Sequence, residues 1–196
     1  MRGKNSRVTA RDIALAGSLE KLIAQLIDKV NKGNMEAKEE GAALLRSLTE
    51  QPKGLDGPQE AENAELIGKA GAVKPLVALV VSGSPVGQAN ACAALANIAR
   101  RRDEFQTVLF DEGGVAPIAS ALRLGGSQLQ EMAADAMASL SELEASRKSI
   151  IKGGAIPPLV ALLESAGDQT QLHVSNTLAH LASGSTDGQG AIARAG

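Results

Sequence analysis

Two histidines near the carboxyl end of the chain come closest to the spacing of a metal site. His173, Asn176 and His180 recur at positions i, i+3 and i+7, so they share one face of a helix. Zinc sites take at least three protein ligands, and no third ligand is evident beside this pair, whose members lie two helical turns apart. The pattern favours polar residues of a binding surface over a metal centre, and we expect no cofactor.

The single cysteine, Cys92, is the other candidate for chemistry. A cysteine nucleophile needs a base such as histidine within hydrogen-bond reach, and the sequence offers no such partner. Its neighbour Ala91 and the alanine-rich helix around it predict an inert, buried thiol. Because no acid, base and nucleophile converge in the sequence, we expect a protein that is not an enzyme.

Composition argues against several functional classes. Apolar residues make up 44% of the 196 residues, charged residues 21%, and the net charge is −2, which is typical of a folding chain. This balance does not favour nucleic acid or an anionic membrane as partner. Phe105 and Phe110 are the only aromatics, and no apolar run approaches the roughly 18 residues of a membrane span. We expect a basic, solvated arm at residues 1–8 and a location in the cytoplasm or nucleus.

A repeated segment organises the rest of the chain. KGGAIPPLVALL at 152–163 resembles KAGAVKPLVALV at 69–80, and weaker copies begin at Glu112 and Ala16. The separations between successive opening glycines are 54, 42, 41 and 42 residues, and these glycines are Gly17, Gly71, Gly113, Gly154 and Gly196. A period near 40 residues is typical of helical solenoids.

Each repeat is predicted to contain one short helix and two longer ones. The short helix ends at the opening glycine, which can adopt a left-handed conformation without steric cost. The second helix carries proline in its first turn, where a missing N–H costs nothing; these prolines are Pro75, Pro117, Pro157 and Pro158. In the first repeat, the same reading predicts a short helical turn at 9–16 and a helix at 18–32, followed by a third helix at 35–50 and a loop at 51–59. The predicted repeats are 9–50, 60–101, 103–143, 145–183 and a partial fifth at 186–196.

The third helices carry the apolar positions of the predicted core. In the first of them Gly41, Leu44, Leu45 and Leu48 share a face, and the corresponding residues of the later repeats are Ala91, Ala94, Leu95, Ile98, Ala133, Ala136, Met137, Leu140, Val174, Thr177, Leu178 and Leu181. Ser127 with Gln130, and Asp168 with Gln171, have the spacing of capping boxes. Three arginines, 100–102, follow at the end of one third helix. Their positive charges interact favourably with the carbonyl end of the helix dipole. The alternative interpretation is a docking site for an acidic partner.

These motifs resemble the armadillo repeat. The residues that carry the resemblance are GAIPPLV at 154–160 and ALANI at 94–98. The resemblance covers roughly residues 9–196 and implies an all-α, right-handed solenoid, with about four three-helix repeats and part of a fifth. It also implies that the third helices line a concave groove for an extended peptide or a partner protein.

The resemblance also places the groove. In armadillo proteins the asparagine of the ALxNI motif faces the groove, and here that residue is Asn97. The helical period extends this position into a stripe along each third helix. The predicted floor is Glu40, Ala43, Ser47, Asn90, Ala93, Asn97, Arg101, Met132, Asp135, Ser139, His173, Asn176 and His180. An amide such as that of Asn97 can bond both the N–H and the C=O of a peptide backbone.

Two other roles share this groove. One is the substrate-recognition region of a larger ubiquitin ligase. The other, less favoured, is a nuclear-import adaptor, because those proteins carry tryptophan four residues before each groove asparagine. The matching positions here are Ala43, Ala93, Asp135 and Asn176. The partial fifth repeat further predicts self-association through an open carboxyl-terminal end.

Overall fold

The structure is a computed structural model that describes residues 10–50, 58–183 and 185–196. Those ranges hold twelve α-helices and no strand. In chain order the helices are α1 Ala10–Lys32, α2 Met35–Thr49, α3 Pro58–Lys69, α4 Val73–Ser82, α5 Pro85–Ala99, α6 Asp103–Asp111, α7 Val115–Leu124, α8 Ser127–Glu142, α9 Glu144–Lys152, α10 Ile156–Ser165, α11 Asp168–Ala182 and α12 Thr186–Ala195. The predicted arm at 1–8, and the predicted loop as far as residue 57, lie outside the described residues.

Three helices recur in each of three successive units: α3–α5, α6–α8 and α9–α11. The first helix of each unit is short, as expected, but the second is also short. Helices α6, α7 and α8 contain 9, 10 and 16 residues, and α9, α10 and α11 contain 9, 10 and 15. The expectation of two long helices was therefore wrong, because glycine follows the second helix of the earlier units after only 10 residues, at Gly83 and Gly125.

Glycine separates the first two helices of each unit, as predicted. Gly71, Gly113 and Gly154 have φ angles of 84°, 74° and 71°. The N–H of Gly114 reaches back to the carbonyl of Leu109, 3.0 Å away, and so satisfies a carbonyl at the end of α6. The chain can then turn at once into a helix whose first turn contains proline.

Replacing Gly113 by alanine is expected to lower the free energy of unfolding by about 1–2 kcal/mol, because a Cβ is strained at positive φ. The matched control is Gly17→Ala, a position inside α1 where φ is not positive. A Cβ at either site would meet no atom within 4 Å, so the pair isolates backbone strain from packing. Urea unfolding followed by circular dichroism measures both, and equal midpoints for the two variants would contradict the expectation.

The first repeat differs from its prediction. Helix α1 runs unbroken from Ala10 to Lys32 and passes through Gly17, so no short helix ends there. A glycine inside a helix costs only about 1 kcal/mol relative to alanine, which cooperative helix formation can absorb. Gly17 also lacks the proline that follows Gly71, Gly113 and Gly154 within four residues. Glycine alone was therefore a weak signal.

The core lies along the third helices, and most of its predicted members are confirmed. Ala91, Ala94, Leu95 and Ile98 are at most 1% exposed, and their equivalents in α8 and α11 are buried too. In α2, Leu48 is only partly buried and Leu44 is 43% exposed. Leu44 follows Glu40 by four residues and precedes Ser47 by three, so it shares their outward stripe of α2.

Glutamine, rather than a capping box, joins the second and third helices. Ser127 and Asp168 are the first residues of α8 and α11, and the N-caps Gly126 and Gly167 have no side chain to accept a bond. The predicted capping boxes were therefore wrong. The side-chain amides instead donate to carbonyls near the end of the preceding helix, Gln88 to Val80, Gln130 to Leu122 and Gln171 to Leu163, at 2.9, 3.1 and 2.8 Å. All three glutamines lie 17 residues after the opening glycine of their repeat.

Candidate partner-binding face

Helices α2, α5, α8 and α11 form a row, in which α5 packs against α2 and α8, and α8 packs against α11. Because α5 is covered on both flanks, only a narrow stripe of it is accessible. We call the outward stripes of these four helices the third-helix face. It contains the predicted groove residues Glu40, Ala43, Ser47, Asn90, Ala93, Asn97, Arg101, Met132, Asp135, Ser139, His173, Asn176 and His180.

Exposure varies strongly along the third-helix face. The exposed members are Glu40, Ser47, Arg101 and Asn176, and the partly buried ones are Ala43, Asn90, Asn97, Met132, Asp135, His173 and His180. Ala93 and Ser139 are only 4% and 1% exposed. Their expected contact with a partner is therefore wrong for the free protein. The one-carbon side chain of Ala93 lies below its longer neighbours, and Arg100 covers the Ser139 hydroxyl to which it donates a hydrogen bond. The role of the other residues in binding stays a prediction.

Two asparagines of α5 bond back to the preceding third helix. The Asn97 amide donates to the hydroxyl of Thr49 at 3.0 Å, and the Arg46 guanidinium donates to the Asn90 side-chain oxygen at 3.2 Å. Thr49 itself is 5% exposed. Part of the hydrogen-bonding capacity predicted for a peptide therefore already joins α5 to α2.

Arg100, which was not among the predicted groove residues, makes the densest set of polar contacts on the third-helix face. Its two terminal nitrogens donate to the two carboxylate oxygens of Asp135 at 2.9 and 2.8 Å, in the bidentate geometry of a strong charge-assisted pair. The same nitrogens donate to Ser139 and to the side-chain oxygen of Asn97, both at 3.2 Å. The interpretation of Arg100 as a residue that only stabilises the helix end was incomplete.

A sequence signal for this contact does exist. Arg100 follows Asn97 by three residues, and Asp135 precedes Ser139, the equivalent of Asn97 in the next repeat, by four. Residues of opposite charge at near-equivalent positions of successive third helices face each other when those helices stack side by side. The neighbouring Arg102 pairs with Glu65 of α3, whereas Arg101 is exposed and forms no ion pair with a described residue.

The two histidines do not form one site. His173 lies against Asp135, with Nδ1 3.3 Å from a carboxylate oxygen. The Nδ1 of His180 lies 2.9 Å from the hydroxyl of Ser141, which donates its own proton to the carbonyl of Ala138 at 2.7 Å. That arrangement makes His180 Nδ1 the donor. Because Ser141 is fully buried, this serine–histidine contact is a packing link and not an activated nucleophile.

Cys92 is fully buried within α5. Burial disfavours the thiolate and raises the pKa of Cys92 to about 12. Since the thiolate is the reactive form, the thiol stays protonated near neutral pH. Across the described ranges, no three residues among histidine, cysteine, aspartate and glutamate are grouped to hold a metal ion. None of the helices in those ranges is long and apolar enough to span a membrane.

Comparison with known proteins identifies the family. The armadillo/beta-catenin-like repeat matches residues 60–100. The crystal structure of one engineered protein is 30% identical in sequence, with a TM-score of 0.75, and the match covers 88% of this chain and 67% of that one. The chain belongs to the armadillo repeat family. No curated protein matches it.

Designed armadillo repeat proteins share the fold. One of them, crystallised in complex with the peptide (KR)4, is 21% identical, with a TM-score of 0.74, and the match covers 97% of this chain and 84% of that one. Computationally designed armadillo proteins for modular peptide recognition match with a TM-score of 0.76 at 21% identity, over 97% of this chain and 84% of that one. The all-α solenoid architecture expected from the repeat period is thereby confirmed, and armadillo scaffolds are typically non-catalytic.

Proposed function

We propose that this armadillo domain is a non-catalytic scaffold that binds an extended peptide segment of a partner protein on its third-helix face. The observation that carries the proposal is the unbroken row α2, α5, α8 and α11, in which α5 and α11 carry the side-chain amides of Asn90, Asn97 and Asn176 on the accessible stripe. An extended peptide has unpaired N–H and C=O groups along its whole length. A row of amides can bond these groups without requiring a particular side chain.

Asn176 is the amide best placed for this role. It is exposed on α11 and forms no hydrogen bond with a described residue. Asn97 is partly engaged, because one N–H bonds Thr49 and its oxygen accepts a bond from Arg100. One N–H and one acceptor position of Asn97 remain for a ligand.

The relatives support the same assignment. A designed armadillo protein with this fold holds the peptide (KR)4, which makes an extended peptide a reasonable ligand class here. The proposal also states that the domain has no catalytic activity. The residues that support this part are Cys92, Ser141 and the two histidines. The thiol is buried and protonated, the hydroxyl is buried, and each histidine is held by a neighbouring side chain.

Replacing Asn176 by alanine is expected to weaken binding of a fluorescently labelled (KR)4 peptide by roughly threefold to tenfold, because one or two net hydrogen bonds are lost. Anisotropy titration at low salt measures the dissociation constant. The matched control is Asn31→Ala, which removes an equally exposed amide from α1, away from the third-helix face.

The same titration can reject the proposal. If the wild-type chain binds neither (KR)4 nor any other extended peptide of a charge-varied panel, the third-helix face is not a peptide site. If binding occurs but Asn176→Ala, Asn97→Ala and Asn90→Ala all leave it unchanged, the partner lies elsewhere. Light scattering over the titrated concentrations establishes whether a second copy of the chain already covers the face.

A further inference from the structure

The Arg100 guanidinium lies in a cluster of acceptors supplied by two helices. The acceptors are both carboxylate oxygens of Asp135 and the hydroxyl of Ser139, on α8, and the side-chain oxygen of Asn97, on α5. All four contacts lie between 2.8 and 3.2 Å. These oxygens accept bonds from both terminal nitrogens of one guanidinium, an arrangement that a single lysine ammonium nitrogen cannot reproduce.

The cluster is half-enclosed and opens onto the third-helix face. The side chain of Asp135 is 16% exposed and that of Arg100 is 33% exposed, so the carboxylate is largely covered while its partner extends to the surface. The Nδ1 of His173 lies 3.3 Å from one of the same two carboxylate oxygens. A guanidinium approaching from solvent would reach these acceptors along the path that the Arg100 side chain now fills.

We infer that Asp135, Ser139 and Asn97 form a guanidinium-binding site, that Arg100 fills it in the free protein, and that an arginine of the bound partner takes the place of Arg100. The inference rests on the proposed function, because it names the side chain that a peptide on the third-helix face presents to this junction. Arg100 is then an internal competitor for the partner's arginine.

The position of Arg100 allows this exchange. It is the C-cap of α5, beyond the last helical residue, and its side chain reaches Asp135 through freely rotating bonds. Its departure breaks no backbone hydrogen bond. Because one guanidinium replaces another, Asp135 keeps its countercharge and no buried carboxylate is left unpaired.

Peptide titration with variants tests the exchange. Arg100→Ala is expected to bind (KR)4 about tenfold more tightly than the control Arg123→Ala, since each variant loses one positive charge but only the first opens the site. Arg123 is exposed in the last turn of α7, outside the third-helix face, and forms no ion pair with a described residue, so it matches the charge change alone. An octalysine peptide has the same charge as (KR)4 but no guanidinium group. The difference in affinity between the two variants is expected to be much smaller for this peptide.

A second measurement tests the site without a peptide. Methylguanidinium at millimolar concentration is expected to raise the thermal midpoint of Arg100→Ala more than methylammonium does. It is expected to give no such selective rise in the wild type, or in Arg100→Ala combined with Asp135→Asn. This measurement needs Arg100→Ala to fold but does not depend on its affinity for any partner.

The outcomes separate the two proposals. If (KR)4 binds Arg100→Ala and Arg123→Ala equally, the exchange is refuted while the peptide-binding function stands. If methylguanidinium rescues Arg100→Ala but no variant binds a peptide, the guanidinium site stands while the proposed function and the exchange both fail. The absence of any selective methylguanidinium effect overturns the site itself.

Discussion

The variant Leu95→Ala is expected to lose about 2–5 kcal/mol of unfolding free energy, the largest effect of any substitution considered. Leu95 is 1% exposed in the middle of α5, which packs against α2, α4 and α8. Its neighbours Ala91 and Ala94 are fully buried and too short to move into the space that the leucine leaves. The cavity would therefore persist, and its cost adds to the lost burial of apolar surface.

Urea unfolding followed by circular dichroism at 222 nm suits this measurement, because the chain has no tryptophan to report on unfolding. The control is Val86→Ala in the same helix, where the side chain is 58% exposed. We expect that variant to stay within about 0.5 kcal/mol of the wild type. A wild-type midpoint for Leu95→Ala would mean that the α5 core is not the structural centre of the domain.

The variant Gly68→Ala is expected to cost about 1–3 kcal/mol through overpacking. A Cβ on Gly68, near the end of α3, would lie 2.7 Å from the ring of Phe105, which is 3% exposed between the second and third repeats. The ring of Phe105, on α6, thus packs against α3 of the preceding repeat. A buried ring in a closely packed interface has no space to retreat, so the backbone of α3 or α6 must move instead.

Two further variants test that explanation. Gly190→Ala adds the same methyl group to the interior of α12, where its nearest neighbour beyond the helix backbone is an Arg194 nitrogen at 3.4 Å. It is expected to gain up to about 1 kcal/mol from helix propensity. Combining Gly68→Ala with Phe105→Leu should cost less than the sum of the two single changes by more than about 0.5 kcal/mol. Strict additivity would exclude the ring as the cause.

Local patterns in the sequence were sufficient for the architecture. The 3.6-residue period placed Ala91, Leu95 and Ile98 in the core, and the opening glycines with their following prolines located the turns between helices. These features depend on residues within one helix or one turn, and the repetition of each pattern over about 40 residues supplied independent copies. Gly17 shows the limit, because a glycine without its accompanying proline does not interrupt a helix.

The polar contacts of the third-helix face could not be predicted from patterns within one helix or one turn. Arg100 and Asp135 are 35 residues apart, and Asn97 and Thr49 are 48 apart. Whether such side chains meet depends on the distance and rotation between stacked helices, which inter-repeat packing determines. The binding role of the stripe stays a prediction, while the burial of Ser139 and the central position of Arg100 followed only from the packed structure.

The glutamines that bond the preceding helix have a consequence for how such a chain can change in length. The bonds of Gln88, Gln130 and Gln171 close within a single repeat, between its second and third helices. A duplication or deletion of one 41- or 42-residue period, cut at the turn before α6 or α9, would leave every remaining glutamine with its acceptor. Each repeat thus carries both partners of its own glutamine bond. The Arg100–Asp135 pair instead joins two repeats, and it would be lost if these two repeats were separated.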